Sequence, residues 1–381
     1  MKIALVHDYI KEYGGAERVL ETLHEIWPKA PIFTSVYLPN FLGPHKERFR
    51  EFDIRPSWLQ YIPFKSKLTS PIRLIAPLVF KSMDFSKYDV VIVSATGAYN
   101  PNTIRKEKAI QICYCHTPPR YLYGYPTARV WKKNAFFRVL AEIANHFLRM
   151  TDFESAQNVD YFIANSKEVS ARIEKFYRRD STVIYPPIEI PTIKSKILNH
   201  KSYFLTGGRL ARPKRIDLAV KVCTKLKLPL KVFGKEFAGY GEELRKIAGP
   251  TVEFLGEISD EEKFRVMAGA KAFIFPAEFE DFGITPVEAM AVGTPVIALR
   301  SGGVKESVIE GKTGIFFPPA TPERSDGGRG DEPLFNNLVE AIKRFEKMKF
   351  KPEDCIAQAK KFSKERFRRE IENFVNAKLK T

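Results

Sequence analysis

KAFIFPAEFEDFGITPVEAMAVGTPVIALRSGG, residues 271–303, is the stretch that decides the fold. Ala272–Phe275 is a short, continuous apolar run, which predicts a strand buried on both faces of a parallel sheet. After an acidic loop, Thr285 and Pro286 predict the start of a helix, with threonine as its N-cap and proline at its first position. Gly293 predicts the helix end, and Thr294–Leu299 predicts a second buried strand.

The acidic loop lies beyond the carboxyl end of a buried strand, where open α/β sheets bind their ligands. We expect Glu280 in this loop and Glu288 on the first turn of the following helix. Two carboxylates at this spacing can accept hydrogen bonds from several hydroxyls of a sugar or a ribose. Both acids could instead only solvate the helix start, where negative charge is favourable. The spacing alone leaves both interpretations open.

A basic motif follows the predicted strand Tyr203–Thr206. It reads GGRLARPKRID, residues 207–217, and it precedes the predicted helix Leu218–Leu226. Backbone N–H groups, a positive helix end and several cations together favour a diphosphate ligand. If the motif were only a solvated helix start, its four cations would repel one another without a partner.

Two positions in the N-terminal half also follow predicted strands. Gly14 and Gly15 come after the strand Lys2–His7 and can present backbone N–H groups to an anion. His116 comes after the strand Ala109–Tyr114, at the edge where ligands gather, although a lone histidine is often only a satisfied polar residue near a core.

Taken together, the pattern resembles the retaining glycosyltransferases of family 4, whose mark is two glutamates separated by seven residues. The resemblance weakens over residues 41–85 and otherwise covers nearly the full chain. Within the opening stretch it rests on Glu280, Phe282, Gly283, Glu288, Ala289, Gly293, Pro295, Gly302 and Gly303.

A chain of 381 residues with two series of alternating strands and helices predicts two domains. The resemblance implies the α/β architecture called GT-B, in which two Rossmann-like, doubly wound domains face each other across a cleft. We expect an acceptor-side domain at residues 1–189 and a nucleotide-sugar-binding domain at 190–362. Residues 363–381 are then a terminal helix that crosses back to the first domain.

The resemblance also implies roles for single residues. Arg209 and Lys214 bind the donor diphosphate, helped by the Gly14 and Gly15 backbone. Glu280 positions the sugar hydroxyls and Glu288 the ribose hydroxyls. His116 approaches a hydroxyl of the transferred sugar. The remaining donor-binding positions are Phe282, Gly283 and Ile284.

The implied enzyme is a hexosyltransferase that moves a sugar from a nucleotide-diphosphate sugar to a hydroxyl of a glycan or lipid-linked acceptor. The strings His116–Pro118 and Tyr185–Pro187 resemble those of polysaccharide mannosyltransferases that use GDP-mannose. No protein nucleophile is expected, with Glu280 as the lesser alternative. The sequence shows no Asp-x-Asp in a metal-binding context, so we expect neither metal nor cofactor.

The chain carries 62 Lys and Arg against 45 Asp and Glu, a formal net charge of +17. This excess indicates an anionic partner, and it leaves a basic nucleic-acid-binding protein without transferase activity as the alternative. Such a protein would need a contiguous basic face or a recognised module, and the sequence shows neither. The four cysteines form no metal-ligand pairs and no disulfide framework, so we expect a cytoplasmic protein.

Two segments mix aromatic and basic residues. Residues 41–85 lack a clean period, and Val130–Met150 predicts a helix that is basic and aromatic near its start. Each segment is interpreted either as a packed helical element or as a surface that touches an anionic membrane from the cytoplasmic side.

Overall fold

The computed structural model describes residues 1–66, 68, 71–127, 135–191, 202–320 and 331–379. The chain divides into two compact units. Unit 1 contains Met1–Pro126, Val130–Pro187 and Lys364–Thr381, and unit 2 contains Ile188–Ser363 with Thr127–Arg129. The start of the helix predicted at residue 130, and most of the segment between the two predicted domains, lie outside the described residues.

Unit 1 is built on a parallel sheet. Its described strands are β1 (Ile3–His7), β2 (Ile32–Thr34), β3 (Ile54–Pro56), β4 (Val90–Ala95), β5 (Ile110–Cys115), β6 (Tyr161–Ala164) and β7 (Ser181–Val183). They lie in the order β3-β2-β1-β4-β5-β6-β7, so the chain winds outward from β1 in both directions. Every residue of β1 and β4 is buried, because helices cover both faces of the sheet.

Unit 2 repeats this plan with a second parallel sheet. Its described strands are β8 (Tyr203–Gly207), β9 (Leu230–Phe233), β10 (Val252–Gly256), β11 (Ala270–Phe275), β12 (Val296–Leu299) and β13 (Gly314–Phe317). Their order is β10-β9-β8-β11-β12-β13. The two doubly wound α/β sheets predicted from the sequence are therefore confirmed.

The described α-helices pack against these sheets. In chain order they are α1 (Gly15–Ile26), α2 (Ala76–Lys81), α3 (Ala135–Gln157), α4 (Lys167–Tyr177), α5 (Ile216–Lys225), α6 (Tyr240–Ile247), α7 (Asp260–Ala268), α8 (Ile284–Ala291), α9 (Val304–Ser307), α10 (Asp331–Glu346), α11 (Pro352–Lys360) and α12 (Lys364–Lys378). The last helix, α12, packs in unit 1: Phe367 is buried in the same core as Leu20, and Lys364 donates to Glu25 over 2.6 Å. None of the helices in the described ranges is long and apolar enough to cross a bilayer.

The structure corrects the predicted start of the helix that carries Glu288. Helix α8 begins at Ile284, and its N-cap is Gly283, which adopts a left-handed φ of +89°. Glycine tolerates this φ, so the chain enters the helix before Thr285. Pro286 fits at the third helical position because the first four N–H groups of a helix have no intrahelical partner. Glu288 therefore lies on the second turn, not the first.

Three smaller elements also differ from the prediction. Residues 41–85 contain strand β3, which pairs with β2. Helix α6 was not predicted. The composition of residues 320–333, rich in Pro, Gly and Asp, predicts a polar loop, but α10 already begins at Asp331, and residues 321–330 lie outside the described part of the chain. A strand of three residues is too short to show a two-residue period, which explains the first of these misses.

Candidate active site

The carboxyl edge of the unit 2 sheet is built by close backbone approach. Gly208 follows β8 with φ +117°, and Gly234 follows β9 with φ +132°. A β-carbon on Gly234 would overlap the Gly208 carbonyl oxygen. Gly208 also faces helix α8. A β-carbon on Gly208 would lie 3.6 Å from the Thr285 hydroxyl oxygen. Glycine is thus needed at position 234 for the close approach of the loops after β8 and β9, and at position 208 for its positive φ.

Lys214, predicted as a diphosphate ligand, is paired with a carboxylate. Its Nζ donates to Oε2 of Glu280 over 2.6 Å, and the side chains are 30% and 14% exposed. The structure therefore brings together the cation predicted for the diphosphate and the carboxylate predicted for the sugar. Arg209, the other predicted diphosphate ligand, lies in the same loop with an exposed side chain.

The neighbouring cations of the basic motif have acidic partners as well. Arg215 Nη1 donates to Glu278 over 2.9 Å and Nε to Asp217 over 3.3 Å, while Arg212 pairs with Glu243. The argument that these cations would lack partners without a bound anion is therefore wrong. Asp217 is part of the motif itself, whereas Glu278 comes from the loop after β11 and Glu243 from α6, and sequence distance concealed the pairings with these two acids.

The loop that carries Glu280 is fixed by the turn after β12. The Gly303 N–H donates to the Glu280 carbonyl oxygen over 2.8 Å, and the Phe279 N–H donates to the Ser301 hydroxyl over 3.1 Å. Gly302 has φ +72°, and a β-carbon there would overlap the Glu280 backbone. The Ser-Gly-Gly turn therefore sets the position of the Glu280 side chain.

Glu288, predicted as the ribose ligand, is buried in an ion pair. Its Oε1 accepts from Lys263 Nζ over 2.6 Å, and Lys263 also donates to Asp260 over 2.8 Å. Glu288 is 4% exposed and Lys263 is 7% exposed. Lys263 belongs to α7 and was missed, because a lysine among the acids at a helix start looks like part of a solvated face.

The remaining predicted donor-binding positions of unit 2 surround the start of α8. Phe282 is only 2% exposed and its ring centroid lies 5.4 Å from that of Phe362. Its side chain anchors the loop in the core, and only its backbone remains to contact a ligand. Gly283 is buried at the N-cap, and Ile284 is partly exposed at the first helical position.

Unit 1 places its predicted residues at the carboxyl edge of its own sheet. Gly14 is the N-cap of α1, and its N–H already donates to the Glu17 carboxylate over 2.9 Å. Gly15 is the first residue of the helix. His116 follows β5 and is 8% exposed, and its carbonyl oxygen accepts from the Asn165 amide over 3.0 Å.

His116 belongs to a buried polar chain that the sequence did not reveal. The Ser94 hydroxyl lies 2.9 Å from His116 Nε2 and 3.1 Å from His7 Nδ1, and His7 Nε2 lies 3.7 Å from a Glu17 carboxylate oxygen. His7 ends β1 and pairs in register with Ser94 of β4. The missed signal is that all three residues stand at the carboxyl ends of adjacent strands, where the sheet order brings their side chains together.

In the part of the chain that the structure describes, no group of histidine, cysteine, aspartate or glutamate side chains is arranged to hold a metal ion. The basic motif places Arg209, Arg212, Lys214 and Arg215 after β8, at the carboxyl edge of the unit 2 sheet.

Comparison with known families accounts for most of the chain. Residues 13–190 match the family described as Glycosyltransferase Family 4, and residues 190–329 match Glycosyl transferases group 1. Neither description names a nucleic-acid-binding module.

Individual proteins agree with these matches. The chain is 26% identical over 297 residues to an alpha-1,3/1,6-mannosyltransferase of Dictyostelium discoideum. This alignment covers 66% of this chain and 68% of the relative. It is 25% identical over 331 residues to a sulfoquinovosyl transferase of Arabidopsis thaliana, covering 83% of this chain and 59% of the relative. The crystal structure of the Anabaena protein HepE in complex with UDP and glucose superposes with a TM-score of 0.70 at 18% identity, over 99% of this chain and all of HepE. This likeness confirms the predicted GT-B fold.

Proposed function

The chain belongs to the family 4 glycosyltransferases, and from this premise we propose that it transfers mannose from GDP-mannose to a hydroxyl of a glycan or lipid-linked acceptor, with retention at the anomeric carbon. One observation carries the proposal: Lys214 and Glu280 meet 2.6 Å apart at the carboxyl edge of the unit 2 sheet. A cation for a diphosphate and a carboxylate for sugar hydroxyls are thus close enough to hold neighbouring parts of one donor.

In this reaction the bond between the anomeric carbon and the diphosphate oxygen breaks, and negative charge builds on the leaving diphosphate. Lys214 and Arg209 stabilise that charge, as fixed cations do at a developing oxyanion. The acceptor hydroxyl oxygen forms the new bond to the anomeric carbon on the same face. Its proton passes to an oxygen of the departing phosphate, so the step needs no protein nucleophile. In this proposal Lys214 and Arg209 take the place of a metal at the diphosphate.

The two glutamates hold the donor in this proposal. Glu280 accepts hydrogen bonds from sugar hydroxyls, and Glu288 accepts them from the ribose. The Lys263 ammonium fixes the Glu288 carboxylate from inside the unit and limits its rotamers. Further contacts to the donor by Gly14, Gly15, His116, Phe282, Gly283 and Ile284 stay predictions that mutation can test.

Mannose is supported by the mannosyltransferase relative, whereas the sulfoquinovosyl transferase relative shows that similar chains are named for other sugars. The donor therefore requires a direct test. A thermal-shift screen of wild-type protein against GDP- and UDP-sugars should give its largest stabilisation with GDP-mannose, since a ligand that binds only the folded state raises the unfolding midpoint. A larger shift with a UDP-sugar would overturn the assignment of the donor but not the class of reaction.

The same screen on Lys214→Ala tests the site itself. We expect this variant to lose most of the shift, whereas Lys246→Ala, which removes an exposed lysine of α6, should keep it. Equal shifts in wild type and Lys214→Ala would refute the assigned diphosphate site.

A further inference from the structure

The buried polar chain of unit 1 continues beyond its two histidines to a carboxylate. His7 ends β1, Ser94 lies on β4 and His116 follows β5, and these three strands are neighbours in the sheet. Glu17 lies on the first turn of α1 and approaches His7. All four side chains are at most 8% exposed. Because buried polar groups must be satisfied by one another, the positions of their protons depend on each other.

The Ser94 hydroxyl links the two imidazole rings. Its oxygen lies 3.1 Å from His7 Nδ1 and 2.9 Å from His116 Nε2. A hydroxyl has one proton and can donate it to only one of these nitrogens, so the other nitrogen must donate to the serine oxygen. For two neutral histidines this leaves two orders. Either both rings carry their proton on Nε2, or both carry it on Nδ1.

The carboxylate of Glu17 distinguishes the two orders. His7 Nε2 lies 3.7 Å from Glu17 Oε1, which is longer than a hydrogen bond, and Nε2 makes no direct hydrogen bond within the residues that the structure describes. A carboxylate attracts an N–H group and repels the lone pair of a bare nitrogen, and burial strengthens both effects. The carboxylate therefore favours a proton on His7 Nε2, which leaves Nδ1 as an acceptor.

We propose that Glu17 fixes the proton order of the whole chain and thereby makes His116 a hydrogen-bond acceptor. Ser94 donates to His7 Nδ1, and His116 Nε2 donates to the Ser94 oxygen. The Nδ1 atom of the neutral His116 ring then carries no proton and can only accept. The proton order rests on unit 1 alone. Its use rests on the proposed function: a sugar hydroxyl that contacts this atom must donate to it.

One substitution should reverse the order and keep the start of the helix intact. Glu17 Oε2 accepts from the Gly14 N–H over 2.9 Å, and in Glu17→Gln the amide oxygen can keep this bond. The amide NH₂ group then faces His7, and because it donates, His7 Nε2 must accept. His7 Nδ1 now donates to Ser94, and Ser94 donates to His116 Nε2. The proton of His116 is thus moved to Nδ1.

The ring-nitrogen chemical shifts of isotopically labelled histidine measure this order in the ligand-free protein, because protonated and bare ring nitrogens differ in shift. Spectra are recorded well above the ordinary histidine pKa of about 6.5, and His7→Gln and His116→Gln assign the signals. We expect protons on Nε2 of both rings in wild type and on Nδ1 of both in Glu17→Gln. Wild-type tautomers in Glu17→Gln, or protons on both nitrogens of His7 in wild type, would overturn the proposal.

Two further variants separate the chain from general effects. Glu262→Gln changes the same third helical position in α7, where the side chain is exposed, so both histidines should keep their wild-type tautomers. Ser94→Ala interrupts the chain. His116 should therefore give the same spectrum in Ser94→Ala and in Ser94→Ala/Glu17→Gln, whereas His7 should still respond to Glu17→Gln. A response of His116 without the serine hydroxyl would overturn the route through Ser94.

Kinetics test the acceptor role of His116 separately. Glu17→Gln should lower kcat/KM for the nucleotide sugar about fivefold, because a hydroxyl that donates to His116 must turn to accept from it. Its unfolding midpoint should stay at the wild-type value, since the bond to Gly14 is kept. Reversed tautomers with wild-type kcat/KM would overturn the acceptor role. Absence of transferase activity in the wild type would contradict the proposed function, whereas the spectra would still decide the proton order.

Discussion

The Lys214 ammonium and the Glu280 carboxylate neutralise each other across 2.6 Å. These are the residues proposed to hold the diphosphate and the sugar of one donor, so the donor must replace their mutual contact with its own phosphate and hydroxyl groups. The pair is partly exposed, and such ion pairs contribute only about 1 kcal/mol or less, so their exchange is inexpensive.

This pairing predicts opposite effects of one substitution on two ligands. Glu280→Gln should bind the nucleoside diphosphate alone up to about fivefold more tightly, because Lys214 no longer has a competing carboxylate. Turnover of the nucleotide sugar should fall, because an amide accepts the sugar hydroxyls less strongly than a carboxylate does. Calorimetry with the nucleoside diphosphate and a donor-consumption assay measure the two effects.

Lys214→Ala completes the comparison. It should lower kcat/KM about 100-fold or more, in the range for removal of one group that stabilises a developing oxyanion. Lys246→Ala serves as the control for removal of a positive charge. If Glu280→Gln weakened nucleoside diphosphate binding, the competition between carboxylate and phosphate for Lys214 would be disproved.

Gly302 offers a test of how precisely Glu280 must be placed. Gly302 has a φ of +72°, and in Gly302→Ala the new β-carbon would overlap the Glu280 backbone. The acidic loop must therefore shift. A shift of about 1 Å in a positioning residue can cost about 100-fold in rate, and we expect kcat/KM to fall toward that range.

Gly311→Ala is the matched control for this substitution. Gly311 has φ +74°, and no atom lies within 4 Å of its added β-carbon, so this variant carries the same backbone strain of about 1 kcal/mol without the overlap. Steady-state kinetics and unfolding midpoints of the two variants separate strain from displacement. Equal kcat/KM in both would show that the turn does not position Glu280 for the reaction.

The sequence predicted the two sheets well because buried parallel strands are continuous apolar runs. The family resemblance implied that Lys214 and Glu280 hold one donor, and the two side chains do lie 2.6 Å apart. The sequence did not predict that Arg215 pairs with Glu278, or that Glu288 pairs with Lys263. Such pairs join elements that are far apart in sequence, and they depend on side-chain directions that a linear pattern does not contain.

The prediction that the helix starts at Thr285, and not at Gly283, was wrong for a different reason. Threonine followed by proline is a common local signal for a helix start, but here a glycine with positive φ turned the chain into the helix two residues earlier. Two local signals competed, and the φ of +89° at Gly283 accompanies the one that prevailed, since a β-carbon there would make only ordinary contacts with the Phe275 ring.

The buried polar chain of His7, Ser94 and His116 predicts a role for Ser94, which was not itself predicted to contact the donor. Ser94→Ala removes the hydroxyl 2.9 Å from His116 Nε2, so the imidazole loses a partner that orients it. A hydrogen bond of this kind contributes about 1 kcal/mol, and we expect nucleotide-sugar binding to weaken about fivefold. Binding of the nucleoside diphosphate alone should not change, because His116 is assigned to the sugar.

Ser307→Ala, which removes another buried hydroxyl, controls for general loss of packing. Titration calorimetry with both ligands measures the difference. An equal loss of affinity for the nucleotide sugar and for the nucleoside diphosphate would assign Ser94 a purely structural role.

The raised pKa of Asp152, a buried residue of α3, predicts that the stability of unit 1 depends on pH. Burial raises the pKa of its carboxyl from 3.8 to about 7, although hydrogen bonds from the Tyr123 and Tyr177 hydroxyls oppose the rise, and the nearby Asp8 adds to it. The folded state thus keeps a proton that the unfolded chain releases near pH 4. Stability must then fall as pH rises from about 4 to about 7, by about 1.4 kcal/mol for each unit of pKa difference.

Asp152→Asn imitates the protonated carboxyl and cannot ionise. We expect the variant to gain stability over wild type progressively as pH rises through this window, and to match it most closely at the acidic end. Asp180→Asn, at an exposed position, should follow wild type at every pH. Unfolding midpoints measured across the window decide the matter, because a constant difference between Asp152→Asn and wild type would mean that Asp152 does not titrate between those limits.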